Sequence, residues 1–469
     1  MMKTVDSKQI KRNVSLTVAV QIVSFFVSMI INLLLPKFID EEQYSYWQTF
    51  LLYASYVPLL HLGLLDGIVL RYSQYDYNEL DKPLIRSQFT LFLVMEMLFA
   101  VVLVVFAFCF MNGNSRLIVV FLGVALVLIN VFTYTSYTFQ LTNRISKYAK
   151  LVLVERLVMG IGVILLVIAN AKYFNQVCYV YFTALFIAIV WGYFNNNDLY
   201  LGKINSLNKA ANEFKENLFS GFFLLLANLS SMLIIGGAKM VVQWLYDTLV
   251  FGQIAFAFSV SNLFLTFVTA ASVALFPSIK RISSERLPDF YDKIRKSISF
   301  ILFGALVLYF PCFKILQLWL PNYANSLVYL GVLMPIIIFS SKVTLLTNNY
   351  LKAYRKEKIM LKINIASVLS AFSLYILCAY GLNNLVLLLF CLDVVVMLRS
   401  IISEIAVMKI IKKNFIKDFV VELLMVVAFI ICVTMFSLWV GFAGYMLILV
   451  FYLIKNKDIC TLLKFSWSK

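Results

Sequence analysis

The sequence predicts an all-α, polytopic membrane protein of about fourteen transmembrane helices. Three observations predict it. Of the 469 residues, 62% are hydrophobic and only 13% charged, against about 45–50% apolar and about 25% charged in soluble proteins. The apolar residues come in runs of about twenty, the length a helix needs to cross roughly 30 Å of hydrocarbon. The basic residues lie between those runs, concentrated on one side.

The runs are 14–36, 47–70, 89–111, 117–139, 151–171, 177–195, 218–239, 251–277, 297–320, 326–350, 362–381, 385–408, 419–439 and 441–455, the last being short. Lys3, Lys8, Lys11 and Arg12 precede the first run. It continues to Pro36 without a small-residue cleavage site, so it reads as a membrane helix, not a signal peptide. With the N-terminus inside, only Lys37, Arg116, Lys172 and Lys239 of the 40 basic residues fall in external loops or their edges. Arg156, Lys314, Lys342 and Arg399 fall within runs, and the rest are cytoplasmic. This is the positive-inside pattern, with both termini in the cytoplasm. The net charge of +17 therefore reads as a topology signal that also meets anionic membrane lipid, and no nucleic-acid partner is expected.

The seven cysteines are scattered without a CxxC pair, and His61 is the single histidine, so no multi-histidine metal site is expected. There is no GxxxxGK[ST], HExxH or GxSxG motif. External loops are short, which leaves no room for a catalytic domain outside. The pattern reads as a transporter, not an enzyme.

Polar side chains at helical spacing mark faces turned away from lipid. The first run carries Thr17, Gln21, Ser24, Ser28 and Asn32, and the eighth carries Ser259, Asn262, Thr266 and Thr269. Shorter versions include Asn228 with Ser231, Asn130 with Tyr134 and Tyr137, and Ser341 with Thr344 and Asn348. Such residues either line a cavity or hold helices together. Charges within a span are costly, about 2.5–3.5 kcal/mol on insertion scales, and mark function or pairing. Lys342 and Lys314 lie inside spans, and Arg71 and Lys239 at the ends of the second and seventh. Together they can present a cationic cavity to an anionic substrate; alternatively Arg71 and Lys239 snorkel to headgroups. On the cavity reading, Lys342→Ala and Arg71→Ala would leave the protein folded and inactive. Asp66 and Glu96 are candidate sites for coupling H+ or Na+, while Asp393, Arg399 and Glu404 are expected to form a structural ion pair. Pro58, Pro311 and Pro335 interrupt helices.

The opening KQIKRNVSLTVAVQIVSFFVSMIINLLLPKFI, followed by EEQYSYWQTF and HLGLLDGIVLRYSQ, resembles the start of bacterial polysaccharide flippases, the O-antigen and capsule transporters of the MATE-like superfamily. The second half agrees, with FKENLFSGFFLLLANLSSMLIIGGAKMVV, FGQIAFAFSVSNLFLTFVTAASVALFPSIKR, LPNYANS and NNYLKAYRKEK in order. The resemblance implies two six-helix lobes around a central cavity with two appended helices: 1–195, a cytoplasmic linker at 196–217, 218–408, and 409–469. It implies a substrate, an undecaprenyl-diphosphate-linked glycan, turned to the outer leaflet of the bacterial cytoplasmic membrane. It also implies work alongside a polysaccharide polymerase and chain-length machinery, with no cofactor beyond a coupling ion. Near Lys239, where such proteins often carry an acidic partner, the run is Gly236-Gly237-Ala238-Lys239, so the resemblance does not extend to ion coupling there. A multidrug exporter of the same fold, and less closely a polymerase or ligase, are the alternatives.

Overall fold

The computed structural model describes residues 7–281 and 287–455, with side chains described at 16, 19–266 and 287–455. Among these residues there are helices and no strands. Twelve helices among the described residues are long and apolar enough to cross a membrane. Two bent pairs pass the same test together, Glu41–His61 with Leu64–Tyr72 at 52° and Pro321–Leu333 with Pro335–Ala353 at 42°; counting each pair as one span makes fourteen.

By contacts the chain divides into two compact units, 1–229 and 230–469. The first holds α1 (Ser7–Phe38), α2 (Glu41–Ala54), α3 (Leu64–Tyr72), α4 (Lys82–Phe110), α5 (Gly113–Leu141), α6 (Ile145–Ile168), α7 (Phe174–Phe194) and the beginning of α8 (Leu207–Leu245). The second holds the rest of α8, then α9 (Thr248–Arg281), α10 (Leu287–Val307), α11 (Tyr309–Trp319), α12 (Ala324–Leu333), α13 (Pro335–Lys342), α14 (Asn348–Ala353), α15 (Glu357–Ile376), α16 (Leu385–Ile411), α17 (Ile416–Met435) and α18 (Leu438–Lys455). The division thus falls inside α8, beyond the 196–217 linker expected from sequence. Residues 207–217 are helical because LNKAANEFKEN is rich in helix formers and lacks Pro and Gly.

The breaks follow from the prolines. A proline cannot donate to the carbonyl four residues back. For Pro58 that carbonyl is Ala54, where α2 ends; for Pro311 it is Val307, where α10 ends. Pro335 opens α13 at the second bend. The second span then re-enters through Leu62 and Gly63, at φ +53° and +87°. The buried His61 ring holds this turn, its Nδ1 accepting the Gly63 N–H at 3.0 Å. Elsewhere starts are capped: Asp81 accepts from the Leu84 N–H, and Asn384 from the Leu387 N–H.

Candidate functional site

In unit 1 the short helix α3 lies against the first turns of α8 with backbone touching backbone. A Cβ on Gly67 would sit 1.8 Å from the Asn217 carbonyl oxygen, and one on Gly221 would sit 1.9 Å from that of Gly63. Gly63, Gly67 and Arg71 form a ridge at steps of four, facing Glu213, Asn217 and Gly221 at the same steps. Arg71 closes the crossing. Its Nη1 donates to Asn217 Oδ1 at 2.8 Å and reaches Glu213 at 2.7 Å, and its Nη2 reaches Glu216 at 2.7 Å. Tyr72 also donates to Glu213. Fully buried Asn217 donates onward to Gln88, which donates to the Ala210 carbonyl.

Arg71 is therefore neutralised by two carboxylates, which departs from its expected role as a free cavity cation. A cavity of about 510 Å³ opens beside it, lined by Tyr72, Gln74, Glu79, Asp81 and Glu213 among others. Its acidic rim is unsuited to an anion. Arg71→Ala is expected to lower stability by about 1–2 kcal/mol, its side chain being 29% exposed, which a thermal melt of the purified protein would read.

In unit 2 a second cluster overturns the reading of Lys342. This side chain is fully buried, its Nζ 2.7 Å from Glu404 and 2.5 Å from Glu422. Arg295 pairs with the same two carboxylates, reaching Glu422 at 3.0 Å, and has Asp418 at 3.5 Å. Ser299 donates to Glu422 and Tyr291 to Glu404. Two buried cations and two buried anions balance, with the part-exposed Asp418 at the edge, and the cluster joins α10, α13, α16 and α17. Charges held this way are paired because an unpaired one is far costlier.

The expected pairing of Asp393, Arg399 and Glu404 does not form. Side chains meet on a helix at separations of three or four, and these lie six and five apart. Glu404 belongs to the Lys342 cluster. Arg399 donates to Asn364 at 3.0 Å and to Ser231 at 2.9 Å. Both oxygens of buried Asp393 have no hydrogen-bond partner.

The remaining expected residues are placed as follows. Lys239 is half-buried, with its Nζ 4.8 Å from the Phe258 ring centre. Lys314 is half-buried and donates to Gln317 at 3.3 Å. Among the described residues, neither forms an ion pair with a carboxylate. Gln21 and Asn32 are half-buried, and the Asn32 amide donates to the Ser28 carbonyl. Ser24 turns inward, its hydroxyl unpartnered. Asn228 and Asn262 are exposed, Asn348 is half-buried, and Thr266 donates to the Asn262 carbonyl. The side chains of Thr17 and Thr269, and of Phe276 and Pro277, lie outside the described residues.

Buried Asp66 stands 3.9 Å from His61 Nε2. Glu96 is fully buried, and one of its oxygens accepts from Asn130 at 2.7 Å. The sequence pattern alone does not mark Arg295, Glu422, Glu213, Glu216 and Asn217 as partners. Their signal was present as helical pairs, Arg295 with Ser299 and Asp418 with Glu422, but all lie close to basic loops that read as topology.

No protein-family model matches the sequence, and no curated protein sequence matches it. Solved structures do. The chain is similar to the lipid II flippase MurJ in an inward closed conformation, at 13% identity and a TM-score of 0.71, over 95% of this chain and 98% of that one. It is similar to a multidrug resistance MATE family transporter in an inward-facing conformation, at 11% identity and 0.62, over 85% and 98%. A MOP superfamily transporter from Pyrococcus furiosus aligns at 12% identity and 0.53, over 87% and 97%. This chain is a multi-pass membrane protein with the fold that lipid II flippase and MATE transporters share, the fold of the MOP superfamily.

Proposed function

We propose that the protein is a flippase that moves an undecaprenyl-diphosphate-linked oligosaccharide from the cytoplasmic to the outer leaflet of a bacterial cytoplasmic membrane, for O-antigen, capsule or exopolysaccharide assembly. The likeness of fold to a lipid II flippase across 95% of the chain supports this reading most. Both termini are cytoplasmic on the distribution of Lys and Arg, and the chain does no chemistry of its own. A polymerase and chain-length machinery would take the product. Differential contact in inward and outward states drives the cycle.

With Arg71 and Lys342 paired, Lys239 and Lys314 become the span cations suited to a diphosphate. Lys239→Ala is expected to cut surface polysaccharide several-fold with the protein still present in the membrane, read by glycan staining beside an immunoblot. Unchanged polysaccharide would remove Lys239 from the site. A multidrug exporter would instead show as drug sensitivity on deletion in a susceptible host, and lysines in its cavity disfavour cationic drugs.

A further inference from the structure

Unit 1 contains a buried carboxyl that no cation balances. Glu96, in the middle of α4, is fully buried, and among the described residues no Lys, Arg or His forms an ion pair with it. Its one hydrogen bond comes from Asn130 Nδ2 on α5, at 2.7 Å from Oε2. The same Nδ2 lies 3.4 Å from the Val57 carbonyl oxygen. Oε1 of Glu96 and Oδ1 of Asn130 are both buried without a partner.

The Val57 carbonyl orients the amide. A carbonyl cannot donate, so the NH2 end of Asn130 must face it, and Glu96 therefore also receives N–H. A sodium ion would need oxygen ligands where this donor stands. A proton needs only the carboxyl oxygen.

The neighbouring titratable groups leave the charge uncompensated. From α5 come Tyr134, whose hydroxyl donates to the Ile85 carbonyl, and Tyr137. From the 57–61 turn comes His61, whose Nδ1 is engaged by the Gly63 N–H, and from α3 comes Asp66 beside that ring. Asp198, on the 197–199 turn that packs on α4, is paired with Lys82. An ionised carboxylate buried without a counter-charge is strongly disfavoured, and intramembrane acids of this kind serve proton relays.

We infer that Glu96, Asn130 and Val57 form a proton site, and that the break in the second span reads its occupancy. Asn130 is the link. It holds at once the carboxyl that gains or loses H+ and the first carbonyl of the 57–61 turn, next to Pro58. Loss of the proton turns a neutral acceptor into an anion that draws the amide toward itself and away from Val57. This deepens the transporter reading by naming H+ as the coupling ion and the 57–64 segment as the part that responds.

The test uses the purified full-length protein in nanodiscs, without glycan, so its outcome is separate from that of the polysaccharide assay. Infrared difference spectra of wild type against Glu96→Gln should show a protonated-carboxyl C=O band at neutral pH. Added Na+ should leave it unchanged, and it should vanish at high pH. Across that same pH change, hydrogen-exchange protection of amides 57–64 should shift several-fold in wild type and stay constant in Glu96→Gln. Absence of the band, its removal by Na+, or equal protection changes in both proteins would each overturn the proposal.

Discussion

Lys342→Ala is expected to destabilise the protein by about 3–5 kcal/mol, because it strands Glu404 and Glu422 in a buried site with Arg295 alone to balance them. The measurements are protein level in the membrane and the melting temperature of the purified chain. Removing one charge of each sign should recover much of the loss. Lys342→Met combined with Glu422→Gln leaves buried Arg295 facing buried Glu404, with Asp418 at the edge as before, and swaps of a whole buried pair for apolar or neutral groups are often tolerated. The cavity reading of Lys342 makes the opposite forecast, a stable but inactive Lys342→Ala protein. A single variant melting like wild type would restore that reading and remove the cluster's structural role.

Gly67→Ala and Gly221→Ala should each cost at least about 1–3 kcal/mol, since a methyl group placed 1.8 or 1.9 Å from a carbonyl oxygen forces α3 and α8 apart. Separation also lengthens the Arg71 contacts with Glu213 and Glu216, so each substitution and Arg71→Ala should combine less than additively. Gly304→Ala is the control. It lies within α10 with nothing within 4 Å of a new Cβ, and its expected effect is a gain of about 0.5–1 kcal/mol from helix propensity. Thermal melts of the three proteins would compare them directly. If Gly67→Ala and Gly304→Ala behave alike, the helices do not meet as described.

The spans were legible because lipid imposes a length and water imposes polar ends, and both leave marks along a single chain. The bends were legible in part: Pro58, Pro311 and Pro335 announce missing hydrogen bonds, while the turn at Leu62 and Gly63 depends on a ring nitrogen three-dimensionally placed. What could not be read was pairing. The ridge of Gly63, Gly67 and Arg71 and the ridge of Glu213, Asn217 and Gly221 are each visible at steps of four, yet nothing in a linear pattern says that one faces the other. In sequence Arg295 is one more basic residue of a cytoplasmic loop, beside Lys293 and Lys296. Only its burial at 1% exposure shows it to be interior. The sequence marks Lys342 as a cation within a span but cannot show its carboxylate partners, which sit on helices that follow it by 62 and 80 residues.

Those separations bear on how the chain is made. Arg295 leaves the ribosome 109 residues ahead of Glu404, and Lys342 follows before either carboxylate exists. Both cations are therefore synthesised before Glu404, and then Glu422, can balance them. The helix that carries Glu422, α17, is thus the last piece the cluster needs, and a nascent chain released before residue 404 would carry two orphaned cations marking it for quality-control proteolysis.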